Sequence, residues 1–262
     1  MAQRLLLFSF FEAGQASRLG PGLGSVDCGV EGKARQVRMR DTAVEIGLIA
    51  EAQGSARVTS GGTVVQSSVY GPAQARYSRH EEFDSLSVEV NYNLLAAGSS
   101  SADLVKEERE GSRLLRSTLL ACIDVKFNPR MLVVIEVSVL RADGAALATA
   151  LNACSLALMD SGIPLLYYPM ALSCCITTAQ NASSSSSSSL TKTTLNTTAD
   201  LEDKAGCCVT FAFKRSSDNK SYNIVLTSCA GVLSPSHLED AWNEVLGSAD
   251  QLADLFKRGI RG

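Results

Sequence analysis

One thirty-residue run, residues 135–164, constrains the fold more than any other part of the chain. It reads IEVSVLRADGAALATALNACSLALMDSGIP, which is an apolar strand, a turn at Asp143-Gly144, an alanine-rich helix and a stop at Gly162 and Pro164. Because the expected helix is apolar on nearly every side, it should lie inside the fold, where its small side chains allow close approach to a sheet. The run therefore predicts a buried strand that leads into a buried helix.

Strands and helices follow one another in mixed order on both sides of this run. Residues 54–72 hold two β-rich segments around Gly61-Gly62, which is a strong hairpin signal. Helices are expected from residue 103 to about residue 126 and from residue 236 to about residue 258. Further strands are predicted at residues 86–95, 131–140, 165–178, 207–213 and 222–227. This order predicts an α+β fold in which helices pack on mixed sheets.

The domain organisation follows from where this periodicity begins and where it lapses. Residues 1–38 are glycine-rich and irregular, which predicts a flexible N-terminal extension. Residues 39–262 are predicted to form a single domain. Within that domain, residues 181–200 include seven consecutive serines and bury too little apolar surface to order themselves. We therefore expect a disordered loop at 181–200.

Charge and cysteine usage argue against several classes of protein. The formal net charge of −3 lacks the basic footprint of a stand-alone nucleic-acid binder, so any RNA contact should be local or shared with partners. The eight cysteines form no C-x-x-C pair and the chain has only two histidines, so no zinc site is expected. The cysteines are predicted to be reduced thiols packed as small hydrophobes, which fits a cytosolic or nuclear compartment. No stretch is long and apolar enough to span a membrane.

Asp143 is the best single candidate for chemistry. At the mouth of the predicted strand it could bind a metal ion or act as a general acid or base, or it could simply cap the following helix. Ser138 stands where a second carboxylate would have suggested a paired-acid site, and Glu136 could equally face solvent. The sequence offers few options for a Ser-His-Asp site and contains neither a Walker loop nor a Rossmann glycine fingerprint.

Two groups of arginines are candidates for RNA contact. Arg109, Arg113 and Arg116 have the i, i+4, i+7 spacing that places side chains on one helix face, where they could follow phosphates. The alternative is a solvated face that pairs with neighbouring glutamates. Arg76 and Arg79 belong to a small basic segment with a tyrosine between them, which could combine stacking with charge or be a plain surface loop.

Several short motifs occur in an order and spacing that resemble the RNase PH family, from about residue 40 to residue 255. The motifs are Gly54-Ser-Ala-Arg, Gly61-Gly-Thr-Val, Val69-Tyr-Gly-Pro, Val137-Ser-Val-Leu-Arg-Ala-Asp-Gly and Leu151-Asn-Ala-Cys. The resemblance implies an RNase PH-like fold of the ribosomal protein S5 domain 2-like type. Within the family, Tyr70-Gly-Pro and the run from Leu151 to Pro164 resemble ring subunits of the eukaryotic RNA exosome. That implies a place in a six-membered hetero-oligomeric ring whose channel RNA threads.

The resemblance also implies what this chain lacks. Active members are phosphorolytic 3′→5′ exoribonucleases that hold phosphate with a Gly-Thr-Arg run, where this chain has Ala145, Ala146 and Leu147. They also use an arginine in the loop after the strand at 86–95, where this chain has alanines and serines. Of the family's two acids only Asp143 remains, because Ser138 stands at the other position. A phosphate bound here would lack charge-assisted partners.

We therefore expect a non-catalytic ring subunit with no catalytic residue, metal or cofactor, Asp143 being the one remaining catalytic candidate. Arg113 matches a family arginine near the RNA path. The implied role is to build the ring and line the channel during 3′→5′ RNA processing and degradation, including that of rRNA, in the nucleus, nucleolus and cytoplasm. The implied partners are other RNase PH-like ring subunits, RNA-binding cap subunits and RNA, with no membrane.

Two alternatives stay open. One is an active 3′→5′ exoribonuclease, phosphorolytic or metal-dependent and hydrolytic, centred on Asp143 with Glu136. The other is a stand-alone RNA-binding homodimer.

Overall fold

The computed structural model describes residues 40–74, 82–95, 102–178, 191–195, 197–216 and 221–261. The elements in chain order are β1 (Thr42–Ile46), β2 (Gly54–Ser60), β3 (Thr63–Gln74), β4 (Ser87–Leu94), α1 (Ala102–Cys122), β5 (Met131–Arg141), α2 (Ala146–Ser161), β6 (Met170–Thr178), β7 (Thr191–Leu195), α3 (Ala199–Lys204), β8 (Cys207–Arg215), β9 (Tyr222–Gly231) and α4 (Pro235–Arg261). The predictions for residues 1–38, for Arg76 and Arg79, for the loop after residue 95 and for residues 181–190 lie outside the described residues.

The described strands form two sheets. The first has the order β1-β2-β3-β5-β4, and the second has the order β7-β6-β8-β9. The β4–β5 pair is parallel, whereas the other strand pairs of both sheets are antiparallel. The predicted α+β fold with mixed sheets and packed helices is therefore confirmed.

The buried helix that the central run predicts is α2. It packs against β2 and β3 of the first sheet and β6 of the second, and its residues from Ala148 to Leu158 are all buried. The approach to β2 is so close that a Cβ atom added at Gly54 would lie 2.3 Å from the carbonyl oxygen of Ala157. Small residues on both elements thus let the helix sit directly on the sheet.

The β2–β3 hairpin forms as predicted, with Ser60 opposite Thr63 across Gly61-Gly62. The helix expected at 103–126 is shorter, because α1 ends at Cys122. Beyond that residue the backbone bonds to other elements instead, since Asp124 donates to the carbonyl of Pro164 and Leu86 donates to that of Val125. Tertiary hydrogen bonds therefore end the helix before the predicted boundary. No helix among the described residues is long and apolar enough to cross a membrane.

The disordered loop predicted at 181–200 is wrong for its last part. Residues 191–195 form β7, which pairs with β6, and α3 begins at Ala199. Leu195 and Thr197 are buried, so this segment gains apolar contacts and a ladder of hydrogen bonds that its composition does not reveal.

The prediction that all cysteines are reduced is also wrong. Cys175 of β6 faces Cys208 of β8, their Cα atoms lie 4.2 Å apart, and their sulfurs form a disulfide. The other cysteines of the described residues are free thiols: Cys122, Cys154, Cys174, Cys207 and Cys229. Burial raises the pKa of Cys122, Cys154, Cys174 and Cys207 to about 12, so these thiols are protonated packing groups rather than nucleophiles.

Candidate functional site

Asp143 lies at the end of β5, where it forms an ion pair with Arg40. The Arg40 guanidinium donates through Nη2 to Asp143 Oδ2 at 2.5 Å. Its Nη1 donates to the carbonyl oxygens of Asp143 and Thr197 at 3.0 and 3.1 Å. The other carboxylate oxygen, Oδ1, accepts from the backbone N–H of Ala199 at 3.4 Å. The two carboxylate oxygens of Asp143 thus connect Arg40 and the start of α3 to the turn between β5 and α2.

This environment keeps Asp143 ionised. The hydrogen bond from Arg40 is the main cause that lowers the pKa of the carboxyl group, and the Ala199 N–H and the charge of Arg141 act in the same direction. A general acid at neutral pH needs the opposite shift. The packing is also tight, because a Cβ atom added at Gly62 would lie 2.4 Å from Asp143 Oδ2. Asp143 is therefore a structural anion at the turn.

The alternative role of Asp143 as the cap of α2 is wrong. The N-cap residue is Ala145, whose backbone is left-handed with φ 51° and ψ 29°, and it receives no side-chain cap of its own. Thr63 instead supports the turn, since its hydroxyl accepts from the N–H of Asp143 at 3.0 Å and donates to the carbonyl of Gly144 at 2.7 Å.

The backbone N–H of Ala145, at the start of α2, donates to a carboxylate from a distant part of the chain. Ala145 N–H donates to Glu202 Oε1 at 2.7 Å, and the same oxygen accepts from the Thr197 hydroxyl at 3.2 Å. Helix N-termini favour anions, because their unpaired N–H groups and the helix dipole both present positive charge. Glu202, from α3, supplies that anion internally.

A cleft of about 330 Å³ opens beside this helix terminus. Four carboxylates line it, from Glu107 and Glu110 of α1 and from Glu202 and Asp203 of α3. None of the described residues that line it is a lysine, arginine or histidine. We call this cavity the acidic cleft; its remaining walls come from α2, β4, β6, β8 and β9 and include Tyr92, Ala145, Ala146, Leu147, Ser173, Cys208, Thr210 and Cys229.

The other two candidates on β5, Glu136 and Ser138, do not form a site with Asp143. Glu136 is exposed on β5 and Ser138 is partly buried, and neither lines the acidic cleft. Among the described residues, no group of three or more His, Cys, Asp or Glu side chains is arranged to hold a metal ion. The geometry thus brings together Asp143 with Arg40, and separately Glu202 with the α2 N-terminus.

The three arginines predicted to share one face of α1 differ in their contacts. Arg109, Arg113 and Arg116 are all exposed, but Arg116 turns back and donates through Nε to the carbonyl of Val88 at 2.8 Å. None of the three lines the acidic cleft, whose α1 wall is supplied by glutamates. The role of Arg109, Arg113 and Arg116 in RNA contact stays a prediction.

Sequence reasoning missed Arg40 and Glu202. Arg40 lies 103 residues before its partner Asp143, and Glu202 lies 57 residues after Ala145. No local spacing connects residues so far apart. The one available signal was the pair of acids at Glu202-Asp203, next to the segment interpreted as a disordered loop.

Comparison with known proteins agrees with this architecture. Residues 38–164 match the model of RNase PH, the 3′ exoribonuclease family, domain 1. The chain is 33% identical over 140 residues to the exosome complex component RRP41 homolog of Arabidopsis thaliana, which covers 52% of this chain and 57% of the relative. It is 29% identical over 139 residues to the exosome complex exonuclease RRP46 homolog of the same plant, which covers 53% and 56%. The matched segments span a little over half the length of these relatives.

The crystal structure of rice (Oryza sativa) Rrp46 superposes with a TM-score of 0.72 over 87% of this chain and 97% of that chain, at 21% sequence identity. The predicted RNase PH-like fold is therefore confirmed, and it extends beyond the segment that the family model matches. Residues 38–164 of this chain are similar to domain 1 of the RNase PH 3′ exoribonuclease family, and the chain is similar to exosome subunits of the RRP41 and RRP46 type.

Proposed function

We propose that this chain is a non-catalytic RNase PH-like subunit of an RNA exosome core ring. It supports 3′→5′ RNA processing and degradation, including that of rRNA, by building the ring and lining its channel. The likeness to RRP41- and RRP46-type exosome subunits supports membership of the ring. The observation that carries the non-catalytic role is Glu202, which occupies the anion position at the N-terminus of α2.

Phosphorolysis requires that inorganic phosphate be held as the nucleophile. At this helix terminus a phosphate would have to displace the Glu202 carboxylate from the Ala145 N–H. It would also lie among the carboxylates of Glu107, Glu110 and Asp203, and the described residues that line the cleft include no lysine, arginine or histidine. Ala146 and Leu147 offer no side-chain donor in place of the family's threonine and arginine. Charge and donor set therefore both disfavour phosphate.

The hydrolytic alternative centred on Asp143 has less support than the scaffold role. Both oxygens of Asp143 are engaged by Arg40 and Ala199, and Glu136 lies exposed on the strand rather than beside it. A metal-dependent mechanism would need further ligands near Asp143. Arg40 instead supplies the positive charge at that place.

The proposed partners are other RNase PH-like ring subunits, RNA-binding cap subunits and RNA. For RNA, the proposal assigns Arg109, Arg113 and Arg116 of α1, together with Arg76 and Arg79, as phosphate contacts. The Nε atom of Arg116 also donates to the carbonyl oxygen of Val88 in β4. The proposed sites of action are the nucleus, nucleolus and cytoplasm, where exosome-type RNA decay would need the subunit.

An RNA degradation assay tests the catalytic half of the proposal. The purified chain and Asp143→Asn are incubated with 5′-labelled single-stranded RNA, with and without phosphate and Mg²⁺. We expect no 3′ shortening in any condition. Phosphate-dependent shortening, or Mg²⁺-dependent shortening that Asp143→Asn abolishes, would overturn the non-catalytic role.

A gain-of-function variant sharpens the assay. Ala145→Gly, Ala146→Thr and Leu147→Arg restore the family's run, and Glu202→Gln added to them removes the internal anion. We expect phosphate binding, measured by calorimetry, only when Glu202→Gln accompanies the restored run. Binding to the restored run with Glu202 in place would show that the carboxylate is not the obstacle.

Co-expression tests the ring. We expect the chain to enter a hetero-oligomer with other RNase PH-like ring subunits, as observed by native mass spectrometry. A stable homodimer that ignores those subunits would favour the stand-alone alternative.

A further inference from the structure

A second groove, of about 610 Å³, lies at the opposite end of α2 from the acidic cleft. It is formed by the end of α2, the α2–β6 loop, the end of β8 and the start of β9. We call it the aromatic groove. Its lining residues are Met159, Ile163, Leu165, Leu166, Tyr167, Tyr168, Lys214, Arg215, Ser216 and Asn223.

The composition of this lining is unlike that of the acidic cleft. It contains two adjacent tyrosines and two adjacent cations, Lys214 and Arg215, and no carboxylate among the described residues that form it. Tyr167 and Tyr168 are half-buried, so each ring has a packed part and an accessible part. Asn223 adds an exposed amide at the start of β9.

The cations are held in position by the aromatic side chains. Lys214 Nζ lies 4.2 Å from the centroid of the Tyr167 ring, within the range of a cation–π contact. Arg215 Cζ lies 5.9 Å from the centroid of the Tyr222 ring, at the edge of that range. Lys214 and Arg215 are successive residues of β8, so their side chains leave opposite faces of the strand, toward Tyr167 and Tyr222 respectively. Both residues line the groove at the end of this strand, and Tyr168 lies in the same wall.

Aromatic faces beside fixed cations form a surface suited to single-stranded nucleic acid, because bases stack on the rings while the backbone follows the charges. Single-stranded RNA adds exposed base edges that amides and hydroxyls can bind. We propose that the aromatic groove binds a short single-stranded RNA segment, with Tyr168 as the stacking platform and Lys214 and Arg215 as phosphate contacts. This contact is separate from the proposed arginines of α1 and from the acidic cleft.

An acidic peptide is the competing occupant, since Leu166 is 67% exposed and adds apolar surface to the rim. The two tyrosines beside two cations favour RNA, because bases can stack on the rings while the phosphates meet the cations. Binding by the isolated chain does not depend on ring assembly or on catalysis. Failure of this inference is therefore distinguishable from failure of the proposed function.

The test is fluorescence anisotropy with 5′-fluorescein-labelled twelve-nucleotide oligouridine and the full chain, across a series of salt concentrations. Lys214→Gln with Arg215→Gln should weaken binding about tenfold and reduce the salt slope by about 1.4, which corresponds to two lost phosphate contacts. The matched control is Lys257→Gln with Arg258→Gln, which removes the same two charges from an exposed turn of α4 and should bind as wild type. Equal affinity and slope for the two double variants would overturn the proposal.

Variants of Tyr168 separate stacking from charge. Tyr168→Leu should weaken binding about fivefold or more with an unchanged salt slope, whereas Tyr168→Phe should retain affinity. Photo-crosslinking with 4-thiouridine RNA should place adducts on the peptide that contains residues 165–168, which distinguishes this groove from arginines elsewhere. Binding of an alternating Glu-Tyr octapeptide that requires Lys214 and Arg215, with no RNA crosslink at 165–168, would overturn the proposal in favour of protein docking.

Discussion

The acidic cleft and the aromatic groove are built from opposite ends of the same three elements. Along β8, Cys208 and Thr210 line the cleft, whereas Lys214 and Arg215 line the groove. Helix α2 and strand β9 likewise contribute one end to each cavity. The backbone that makes both cavities is that of the RNase PH fold, yet one carries four carboxylates and the other two cations. The fold thus sets where the cavities lie, and the side chains decide which ligand charge each accepts.

The charges at both ends follow the dipole of α2. Glu202 places an anion at its N-terminus, and Lys214 and Arg215 line the cavity at its C-terminal end. In a phosphorolytic enzyme of the RNase PH family, the anion at the N-terminus of this helix would be the substrate phosphate. In this chain an internal carboxylate takes that place and interacts favourably with the helix dipole.

The disulfide lies at the cleft end only, and removing it gives the largest expected effect. Cys175→Ser with Cys208→Ser opens a covalent link across 33 residues of chain, for which chain entropy predicts a loss of about 3 to 4 kcal/mol in the free energy of unfolding. Urea denaturation measures the loss, and hydrogen exchange should increase near Cys208 more than near Lys214. The matched control is Cys229→Ser, a half-buried free thiol on the neighbouring strand. An equal increase in hydrogen exchange at both ends of β8 would show that the disulfide does not stabilise the cleft end in particular.

Arg40→Ala tests the ion pair that closes the turn beside the cleft. The substitution removes the donor to Asp143 Oδ2 and to two carbonyl oxygens, so we expect a loss on the order of 2 kcal/mol at pH 7. Lys106→Ala is the control, because its pair with Asp103 is largely exposed and should contribute less than about 0.5 kcal/mol. Similar losses from both substitutions, by urea denaturation, would mean that the turn does not depend on Arg40.

Local patterns predicted the parts of this molecule that depend on neighbours in sequence. The β2–β3 hairpin, β5 and α2 were predictable because turn glycines and apolar periodicity lie within a few residues of one another. Pairing between distant segments determines the end of α1, strand β7 and the Cys175–Cys208 disulfide. The spacing of residues in the sequence does not predict which distant segments pair. The candidate site divides in the same way, since Asp143 was found from its turn, whereas Arg40 and Glu202 needed the fold.

The pH dependence of Asp143→Asn shows whether the turn is held by charge. Arg40 lowers the pKa of Asp143, so the carboxylate contributes stability above the ordinary aspartate pKa of about 3.9, and this contribution is lost as pH falls through the lower folded value. Wild type should be more stable than the variant from pH 5 to pH 7, by less than about 1 kcal/mol since the group is partly exposed, and the difference should shrink below pH 4. Urea denaturation at pH 7, 5 and 3.5 measures it. A difference that stays constant to pH 3.5 would point to shape rather than charge.

Ala145→Gly gives the smallest effect and has the opposite sign. Ala145 is left-handed, a conformation that costs an L-residue about 1 to 2 kcal/mol, and glycine removes that cost but gains freedom in the unfolded chain. We expect a net stabilisation of about 0.5 to 1 kcal/mol in thermal or urea unfolding. The control is Ala146→Gly, one residue into the helix, which should destabilise by a similar amount.

The same variant tests whether the backbone of residue 145 alone prevents phosphate-dependent degradation. Ala145→Gly restores the family's glycine but leaves Glu202 hydrogen-bonded to the N–H of residue 145. If the internal carboxylate or the missing side-chain donors at residues 146 and 147 exclude phosphate, the variant gains stability and still fails to shorten RNA in the presence of phosphate. If it gains phosphate-dependent degradation, the strained backbone was the obstacle. That result would mean that the acidic cleft binds phosphate in spite of its four carboxylates, and the comparison of cavity charges would then not predict which ligand each cavity accepts.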